Sequence, residues 1–490
     1  MIATSSQASG FYNSHIPPNI FRAYDIRGIV DTELSAEVVE LIAEAIGGEA
    51  LDHGIDSLLV GYDGRLSSPA LCEALISGIR RSGCNVIQLG MVPTPVLYFA
   101  THHSEFDSGV MLTASHNPAN YNGIKIVFHQ TCLAENQIQA IRQRVERSLQ
   151  RDSENLQRHD KNSQRLDKNS PDSLNITSHY IQRIVSDINL HRPLKVVIDC
   201  GNAVPGNIAP QLFQSLGCEV TPLFCEIDGH FPNHHPDPTV PDNLLKLAAR
   251  VKQQQADLGL AFDGDGDRLG VVDEQGQFVN ADHIIAVLLC QIAPDYPGEP
   301  VVFDVKCSRN LARLITDKGM KPVMHNSGHS LMKQKMQETG APLGGEFAAH
   351  LFIKDRWYGF DDGLYAAARL LEILSQQAKP ASALFSILPP SVNTPELKLP
   401  VSDQHKHTLM QQLIAHADKL EAEELITIDG IRAEFADGWG LIRASNTSPA
   451  LLLRFEADTL RALHHIQARF QSLLSETDKT LGQTLAQVLA

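Results

Sequence analysis

The sequence predicts an α/β protein, with three related α/β domains followed by a C-terminal α+β domain. Two observations predict it. First, an apolar run closing on aspartate occurs three times. It reads Leu58-Leu59-Val60-Gly61-Tyr62-Asp63-Gly64-Arg65, then Val196-Val197-Ile198-Asp199-Cys200-Gly201-Asn202, then Val301-Val302-Phe303-Asp304-Val305-Lys306. Helix-compatible stretches such as Ser68–Arg81 and Pro205–Leu216 follow these runs, and alternating strands and helices mean α/β layers. Second, the last hundred residues have another order. Gln404–Lys419 and Leu460–Leu474 are predicted helices, and Gly440–Ala444 and Leu451–Glu456 predicted strands.

A chain of 490 residues is too long for one core and divides into several domains. Residues 1–16 are polar, lack a basic-then-apolar signal pattern, and are expected to be a loose tail. The first α/β domain is expected over 17–155, the second over 173–277, the third over 278–389 and the α+β domain over 390–490. Between the first two, residues 156–172 read as a polar linker. Within it Gln157-Arg158-His159-Asp160-Lys161-Asn162-Ser163 is followed by the near-copy Gln164-Arg165-Leu166-Asp167-Lys168-Asn169-Ser170. Such a segment has no face to bury.

The net charge of −16 argues against a nucleic-acid partner. No apolar stretch is long enough to span a membrane. The eight cysteines form no C-x-x-C pair, and Cys72, Cys84, Cys200 and Cys290 sit in apolar contexts where buried thiols are expected. That suits a reducing cytoplasm.

Four motifs carry chemistry. Gly109-Val110-Met111-Leu112 reads as a buried strand, and Thr113-Ala114-Ser115-His116-Asn117-Pro118 as its sharp exit. Ser115 is thereby presented at the C-terminal end of a strand, where open α/β sheets bind ligands. Next, Asp263-Gly264-Asp265-Gly266-Asp267-Arg268 lies between the strand-like runs Leu258–Phe262 and Leu269–Val272. Alternate carboxylates in an extended loop converge and suit a hard divalent cation, Mg²⁺ where phosphate adds a ligand. An EF-hand is excluded because Arg268 stands where glycine is needed and the flanks are not helical. The bland alternative, an Asp-Gly hairpin turn, leaves three carboxylates repelling one another.

The third motif is Gly344-Gly345-Glu346-Phe347-Ala348-Ala349-His350, where Glu346 and His350 offer a hydrogen-bonding pair for hydroxyls, although on local evidence an ordinary loop with a solvated Glu fits about equally well. The fourth is Arg443-Ala444-Ser445-Asn446-Thr447-Ser448-Pro449, a cationic fork followed by hydroxyl and amide side chains, which suits phosphate. On local evidence an ordinary capped turn fits that segment equally well. Further candidates are Arg22, Tyr24, Asp25, Arg27, His116, Lys125, Lys306, Arg309 and His329. A lone Lys or Arg is more often a solvated surface charge. Together the motifs suit phosphoryl transfer on a phosphorylated polyol or sugar.

With these motifs in this order, the sequence resembles the α-D-phosphohexomutase family, nearest its bacterial phosphomannomutase/phosphoglucomutase branch. The match runs from Phe21-Arg22-Ala23-Tyr24-Asp25-Ile26-Arg27-Gly28 to the Arg443–Pro449 loop and includes Arg356-Trp357-Tyr358-Gly359-Phe360-Asp361-Asp362-Gly363. The resemblance implies four domains around a central cleft. It implies that Ser115 is the phosphoserine and that Asp263, Asp265 and Asp267 hold one Mg²⁺ with its phosphate. Arg268 would sit beside the reacting group. Arg27, Lys125 and His329 would be acid/base or charge-stabilising groups, with His116 also a catalytic candidate. Tyr24, Lys306, Glu346 and His350 would bind substrate, the last two reading sugar hydroxyls. Arg443, Ser445, Asn446 and Thr447 would grip the unreactive phosphate.

The implied activity is interconversion of hexose 1- and 6-phosphates of mannose or glucose through a hexose 1,6-bisphosphate, which also serves as activator. A cytoplasmic monomer acting on small sugar phosphates is expected. One departure bears on the sugar. The family's loop usually reads Gly-Glu-x-Ser-Gly-His, whereas Ala348 and Ala349 stand here. A hydroxyl is lost, at a cost of about 1 kcal/mol for one hydrogen bond, and Ala349 restricts the backbone. Altered sugar selectivity is the expectation, which keeps phosphoglucosamine or another sugar phosphate as an alternative substrate. A non-catalytic sugar-phosphate-binding protein is the alternative of a different class.

Overall fold

The computed structural model describes residues 16–154, 173–445 and 448–489. Almost all of the expected tail, the linker with its duplicated heptad, and Asn446 and Thr447 lie outside the described residues. Contacts divide the chain into two compact units. One comprises the chain up to Val272 together with Asp362–Ala368, the other Asp273–Asp361 and the chain from Arg369 onward.

The first unit holds two sheets. Strands β1 (Ile26–Ile29), β2 (Ser57–Tyr62), β3 (Asn85–Met91), β4 (Gly109–Leu112), β5 (Tyr121–Phe128) and β6 (Thr131–Cys132) form one, in the order β1-β5-β4-β2-β3 with β6 on β5. Strand β4 is buried along its whole length, as its unbroken apolar run requires. The helices Ala36–Asp52 and Ser68–Arg81 pack against each other. Ser35 caps the first of them, its hydroxyl accepting from the Val38 amide at 3.3 Å. Strands β7 (Lys195–Asp199), β8 (Glu219–Leu223), β9 (Leu258–Phe262) and β10 (Leu269–Asp273) follow one another across the second sheet as β10-β9-β7-β8. The helix expected over Pro205–Leu216 breaks in two, a 3-10 turn at Val204–Asn207 and an α-helix at Ala209–Ser215. Pro210, five residues in, lacks the amide a continuous helix would need there.

The second unit begins with the short strand β11 (Phe278–Val279). Its first sheet contains β12 (Pro300–Asp304), β13 (Lys321–His325), β14 (Leu343–Gly345) and β15 (Leu351–Ile353), ordered β13-β12-β14-β15. The C-terminal sheet contains β16 (Val392–Asn393), β17 (Leu397–Pro400), β18 (Glu424–Ile426), β19 (Ile431–Phe435), β20 (Gly438–Ala444) and β21 (Ala450–Ala457). Its order is β16-β21-β20-β19-β18 with β17 on β21, and every pairing is antiparallel. The helices Asp403–Ala415 and Leu460–Thr477 pack on it, so this part is α+β. The expected helix over Gln404–Lys419 ends at Ala415 and resumes as a 3-10 turn at Ala417–Leu420.

The threefold repeat has a structural meaning. Strands β2, β7 and β12 occupy equivalent positions, each between two parallel neighbours: β3 and β4, β8 and β9, β13 and β14. The three functional loops are therefore the same loop three times. The exit of β4 carries Ser115, the exit of β9 carries Asp263, Asp265 and Asp267, and the exit of β14 carries Glu346.

Candidate active site

In the first unit the β4 and β9 exits meet. Ser115 takes a left-handed backbone conformation, φ +50°, which an L-residue adopts only when its surroundings impose it. Three contacts impose it. The Ser115 amide donates to Thr113 Oγ1 at 2.9 Å, and Thr113 Oγ1 donates to Asp63 Oδ2 at 2.7 Å. Arg65 Nη2 donates to the Ser115 carbonyl at 2.7 Å. Gly264 lies so close that a Cβ built there would be 2.0 Å from the same carbonyl oxygen, so the β9 exit needs glycine at this point.

The result is a serine aimed at carboxylates. Ser115 Oγ donates to Asp263 Oδ2 at 2.6 Å and lies 3.1 Å from His116 Nδ1. Asp263, Asp265 and Asp267 are all fully buried, with one oxygen of each within 4.8 Å of the others. Burial first, then the Asp267 and Asp265 charges, drives the Asp263 carboxyl well above its ordinary range. Lys125 Nζ bridges the other two, donating to Asp265 Oδ2 at 2.7 Å and Asp267 Oδ2 at 2.6 Å. Thr94 Oγ1 also donates to Asp265 Oδ2, at 2.6 Å. The second oxygen of Asp265 is buried with no hydrogen-bond partner. An unpartnered carboxylate oxygen among three converging acids is the donor set a hard divalent cation takes, so the residues fit Mg²⁺.

Arg27 joins through Asn117, its Nη1 donating to Asn117 Oδ1 at 2.8 Å. Burial is the largest single influence and works against its charge, but Asp25, Tyr24 and Asp265 together hold its pKa above the ordinary value. Arg268 follows the acidic loop, with its guanidinium 3.8 Å from Asp237.

Arg65 is the site residue that sequence reasoning did not single out. It is 2% exposed. Its guanidinium donates to the carbonyls of Ser115, Asn117, Pro118 and Tyr121 at 2.6–3.0 Å, and to Asp63. One side chain thus satisfies the backbone of the whole Ser115 turn. Its one sequence signal was its place directly after the first Asp-closed strand.

In the second unit the β14 exit is a turn closed by Glu346 and His350. The Glu346 amide donates to the His350 carbonyl at 2.9 Å, and the Ala349 amide to the Glu346 carbonyl at 3.0 Å. The side chains pair as expected, with His350 Nδ1 2.8 Å from Glu346 Oε2. Glu346 Oε1 accepts from the Gly328 amide at 2.6 Å. Burial alone would raise the Glu346 carboxyl, but its hydrogen bond to His350, with the His350 and Lys306 charges, lowers it to about 2. Ala349 sits at φ +71°, the conformation that glycine adopts without strain. His329 stacks on His350, with ring centroids 5.4 Å apart. His329 Nδ1 lies 3.3 Å from Asp361, which Lys333 also holds at 2.7 Å.

Lys306 and Arg309 are not the solvated charges that isolated cations usually are; each is 7% exposed. Lys306 Nζ lies 3.5 Å from Asp304 and 3.8 Å from Glu396. Arg309 donates to the Phe435 carbonyl and to Asp458. Two further arginines of the C-terminal sheet hold the β12 exit. Arg432 donates to the carbonyls of Val305 and Cys307, and Arg454 to that of Lys306 while stacking 3.7 Å over the Phe347 ring. Arg443 Nε donates to Asp429 at 2.8 Å, and Asp429 in turn accepts from the Ser327 amide. The Ser445 carbonyl accepts from Lys406 Nζ at 2.6 Å. Tyr24, near the start of the first unit, is half-buried.

Four family models match in sequence order. Those of phosphoglucomutase/phosphomannomutase α/β/α domains I, II and III cover residues 18–152, 178–276 and 280–391, and that of the C-terminal domain covers 396–473. A phosphomannomutase/phosphoglucomutase of Pseudomonas aeruginosa is 49% identical over 466 residues, 95% of this chain and 97% of its own. A phosphoglucomutase of Neisseria gonorrhoeae is 45% identical over 94% of this chain and 97% of its own. The crystal structure of a phosphoglucomutase/phosphomannomutase family protein from Burkholderia thailandensis superposes with a TM-score of 0.87 at 45% identity, covering 94% and 98% of the two chains. Identity sustained over nearly the full length, together with four domain models in order around the serine and acidic loops, leaves one assignment: the chain belongs to the phosphoglucomutase/phosphomannomutase family.

Proposed function

We propose that this protein is a phosphohexomutase that interconverts hexose 1-phosphate and hexose 6-phosphate, with mannose and glucose as its sugars, through phospho-Ser115. The observation that carries this reading is the Ser115 hydroxyl, held in a left-handed turn and aimed at the Asp263 carboxylate beside Lys125. In the proposed cycle the free hydroxyl of the sugar phosphate gives its proton to a nearby base as it attacks phosphorus, and the bond from phosphorus to Ser115 Oγ breaks, Oγ taking up a proton. The bisphosphate that results turns over and returns its other phosphoryl group to Ser115, and the serine proton goes to a nearby base. Such a transfer asks the protein for position and charge rather than for covalent chemistry.

The proposed roles join the surroundings of the described residues to what the family resemblance implies. Asp263, Asp265 and Asp267 would hold Mg²⁺, which when bound supplies positive charge for the phosphoryl oxygens. Lys125 would be released from two carboxylates as the cation is taken up, leaving its ammonium for the phosphoryl group. Arg27 and Arg268 would add fixed positive charge, with His116 beside Oγ. Glu346 and His350 would read sugar hydroxyls, His329 and Lys306 would serve substrate binding or proton transfer, and Arg443 with Ser445, Asn446 and Thr447 would grip the distal phosphate. A hexose 1,6-bisphosphate would restore phospho-Ser115 whenever it is lost to water.

Coupled assays on mannose 1-phosphate and glucose 1-phosphate, with Mg²⁺ and a hexose bisphosphate, test this reading. Turnover of both supports it, and turnover of neither overturns it. A second reading, a phosphoglucosamine or other sugar-phosphate mutase, is favoured by Ala348 and by the strained Ala349. Competition among the sugars for kcat/KM separates the two.

A further inference from the structure

Strands β7 and β8 run parallel, with Asp199 opposite Leu223, so the chain leaves both at the same sheet edge. Cys200 is the first residue after β7, and Cys225 is two residues past β8. Their sulfurs lie 3.6 Å apart. Both turns are held in place. The Cys200 amide donates to the Leu223 carbonyl at 3.2 Å, and the Asn202 amide to the Phe224 carbonyl at 2.7 Å. Gly206 packs so tightly that a Cβ there would be 2.0 Å from the Cys225 carbonyl oxygen. The two thiols differ in access, since Cys200 is fully buried and Cys225 is partly exposed.

We propose that Cys200 and Cys225 form a reversible oxidation site, in which a hydroperoxide oxidises Cys225 and Cys200 resolves the product to an intramolecular disulfide. In the first step the Cys225 sulfur attacks the peroxide, the O–O bond breaks, and sulfenic acid forms with release of water or alcohol. In the second the Cys200 sulfur attacks the Cys225 sulfur and the S–OH bond breaks. The hydroxyl leaves with the Cys200 proton as water, so two thiols and one peroxide give one disulfide. The sulfurs need close only from 3.6 Å to about 2.05 Å.

Three of the other thiols are poor competitors. Burial raises Cys72 to about 11 and Cys84 and Cys218 to about 12, whereas the hydrogen bond with Cys200 holds Cys225 below its ordinary value.

The site is connected to the Ser115 turn. The segment after Cys225 carries Ile227, whose Cγ2 lies 2.6 Å from where a Gly64 Cβ would be, and Phe231, whose ring centroid is 5.3 Å from the Arg65 guanidinium. A disulfide pulls on this segment, and hence on the arginine that holds Ser115. That functional half rests on the mutase reading above.

The test treats the reduced full-length protein with hydrogen peroxide, alkylates the remaining thiols and maps the peptides by mass. A Cys200–Cys225 linked peptide, reversed by dithiothreitol, is expected. In Cys200→Ser, Cys225 should stop at the sulfenic acid and be captured by dimedone. Oxidation spread evenly over the cysteines, or Cys225 passing to sulfinic acid while Cys200 stays reduced, overturns the proposal. These readouts do not depend on catalysis. Hexose-phosphate turnover should fall several-fold in the cross-linked protein and recover on reduction, and Cys225→Ser should resist the loss. Unchanged turnover in protein shown to be cross-linked overturns the link to Ser115.

Discussion

The exits of β4 and β14 are the same loop in two repeats, and they are built in opposite ways. Each is fastened to the aspartate that closes the neighbouring strand: Asp63 accepts from Thr113 in the first, and Asp304 from the Phe347 amide at 3.0 Å in the third. Beyond that shared anchor they diverge. The Ser115 turn is held by a buried arginine and faces three carboxylates, so its chemistry is charge. The Glu346 turn is closed by a carboxylate–histidine pair and carries an alanine where the backbone calls for glycine, a pairing that suits hydroxyls. On the proposed roles, one scaffold position would serve reaction in one repeat and recognition in another, because side chains on an exit loop can change without disturbing the sheet behind it.

The sharpest way to break this contrast is at Ser115. Ser115→Ala should lower turnover by more than about 1,000-fold while hexose-phosphate affinity, read by calorimetry, stays near wild type. Full turnover would mean that the charged turn is not the reacting one. Asp265→Asn comes next and should weaken Mg²⁺ binding on the order of 10–100-fold in a metal titration.

Arg65→Lys keeps the charge but cannot reach four carbonyls at once. It should cost about 2–4 kcal/mol in denaturant unfolding and reduce kcat with little change in KM. A change confined to KM would show that Arg65 does not act through Ser115.

The Glu346 turn is probed by acid. Its carboxyl sits at about 2, against an ordinary 4.5. A depressed carboxyl stabilises the fold above its unfolded pKa, and that contribution is lost as pH falls from near 4.5 towards 2. Glu346→Gln should flatten this acid limb, removing up to roughly 3 kcal/mol of pH dependence measured by unfolding midpoints between those values. Smallest of all, Ala349→Gly should stabilise by roughly 0.5–1 kcal/mol, the relief of a left-handed alanine less the added freedom of glycine in the unfolded chain. A fall in melting temperature would contradict the strain at Ala349.

What the sequence made legible follows the same divide. Ser115, the three aspartates, and the Glu346–His350 pair lie in short segments whose residue types announce their chemistry, so local reading found them. The strands behind Ser115 and the aspartates were legible because buried parallel strands are continuous apolar runs, whereas β14, Leu343–Gly345, is too short and glycine-rich to read as one. Arg65 was not, because the carbonyls it binds lie 50–56 residues away and nothing near it marks a binding arginine. Arg432 and Arg454 were hidden for the same reason, and Lys306 and Arg309 look like surface charges until the C-terminal sheet covers them. Cys290, expected buried from its apolar neighbours, is only half-buried, since helix periodicity turns it partly outward. The alanines of the sugar loop were legible as a departure, but only backbone geometry reveals that Ala349 keeps the glycine conformation.

On the proposed mechanism the charged turn carries the phosphoryl group. Its most direct test is to incubate the protein with a hexose 1,6-bisphosphate and Mg²⁺ and locate the phosphoryl group by peptide mass mapping. One phosphoryl group is expected, on the Ser115 peptide, discharged by excess hexose monophosphate. A protein that takes up none, or carries it on another residue, would contradict the account.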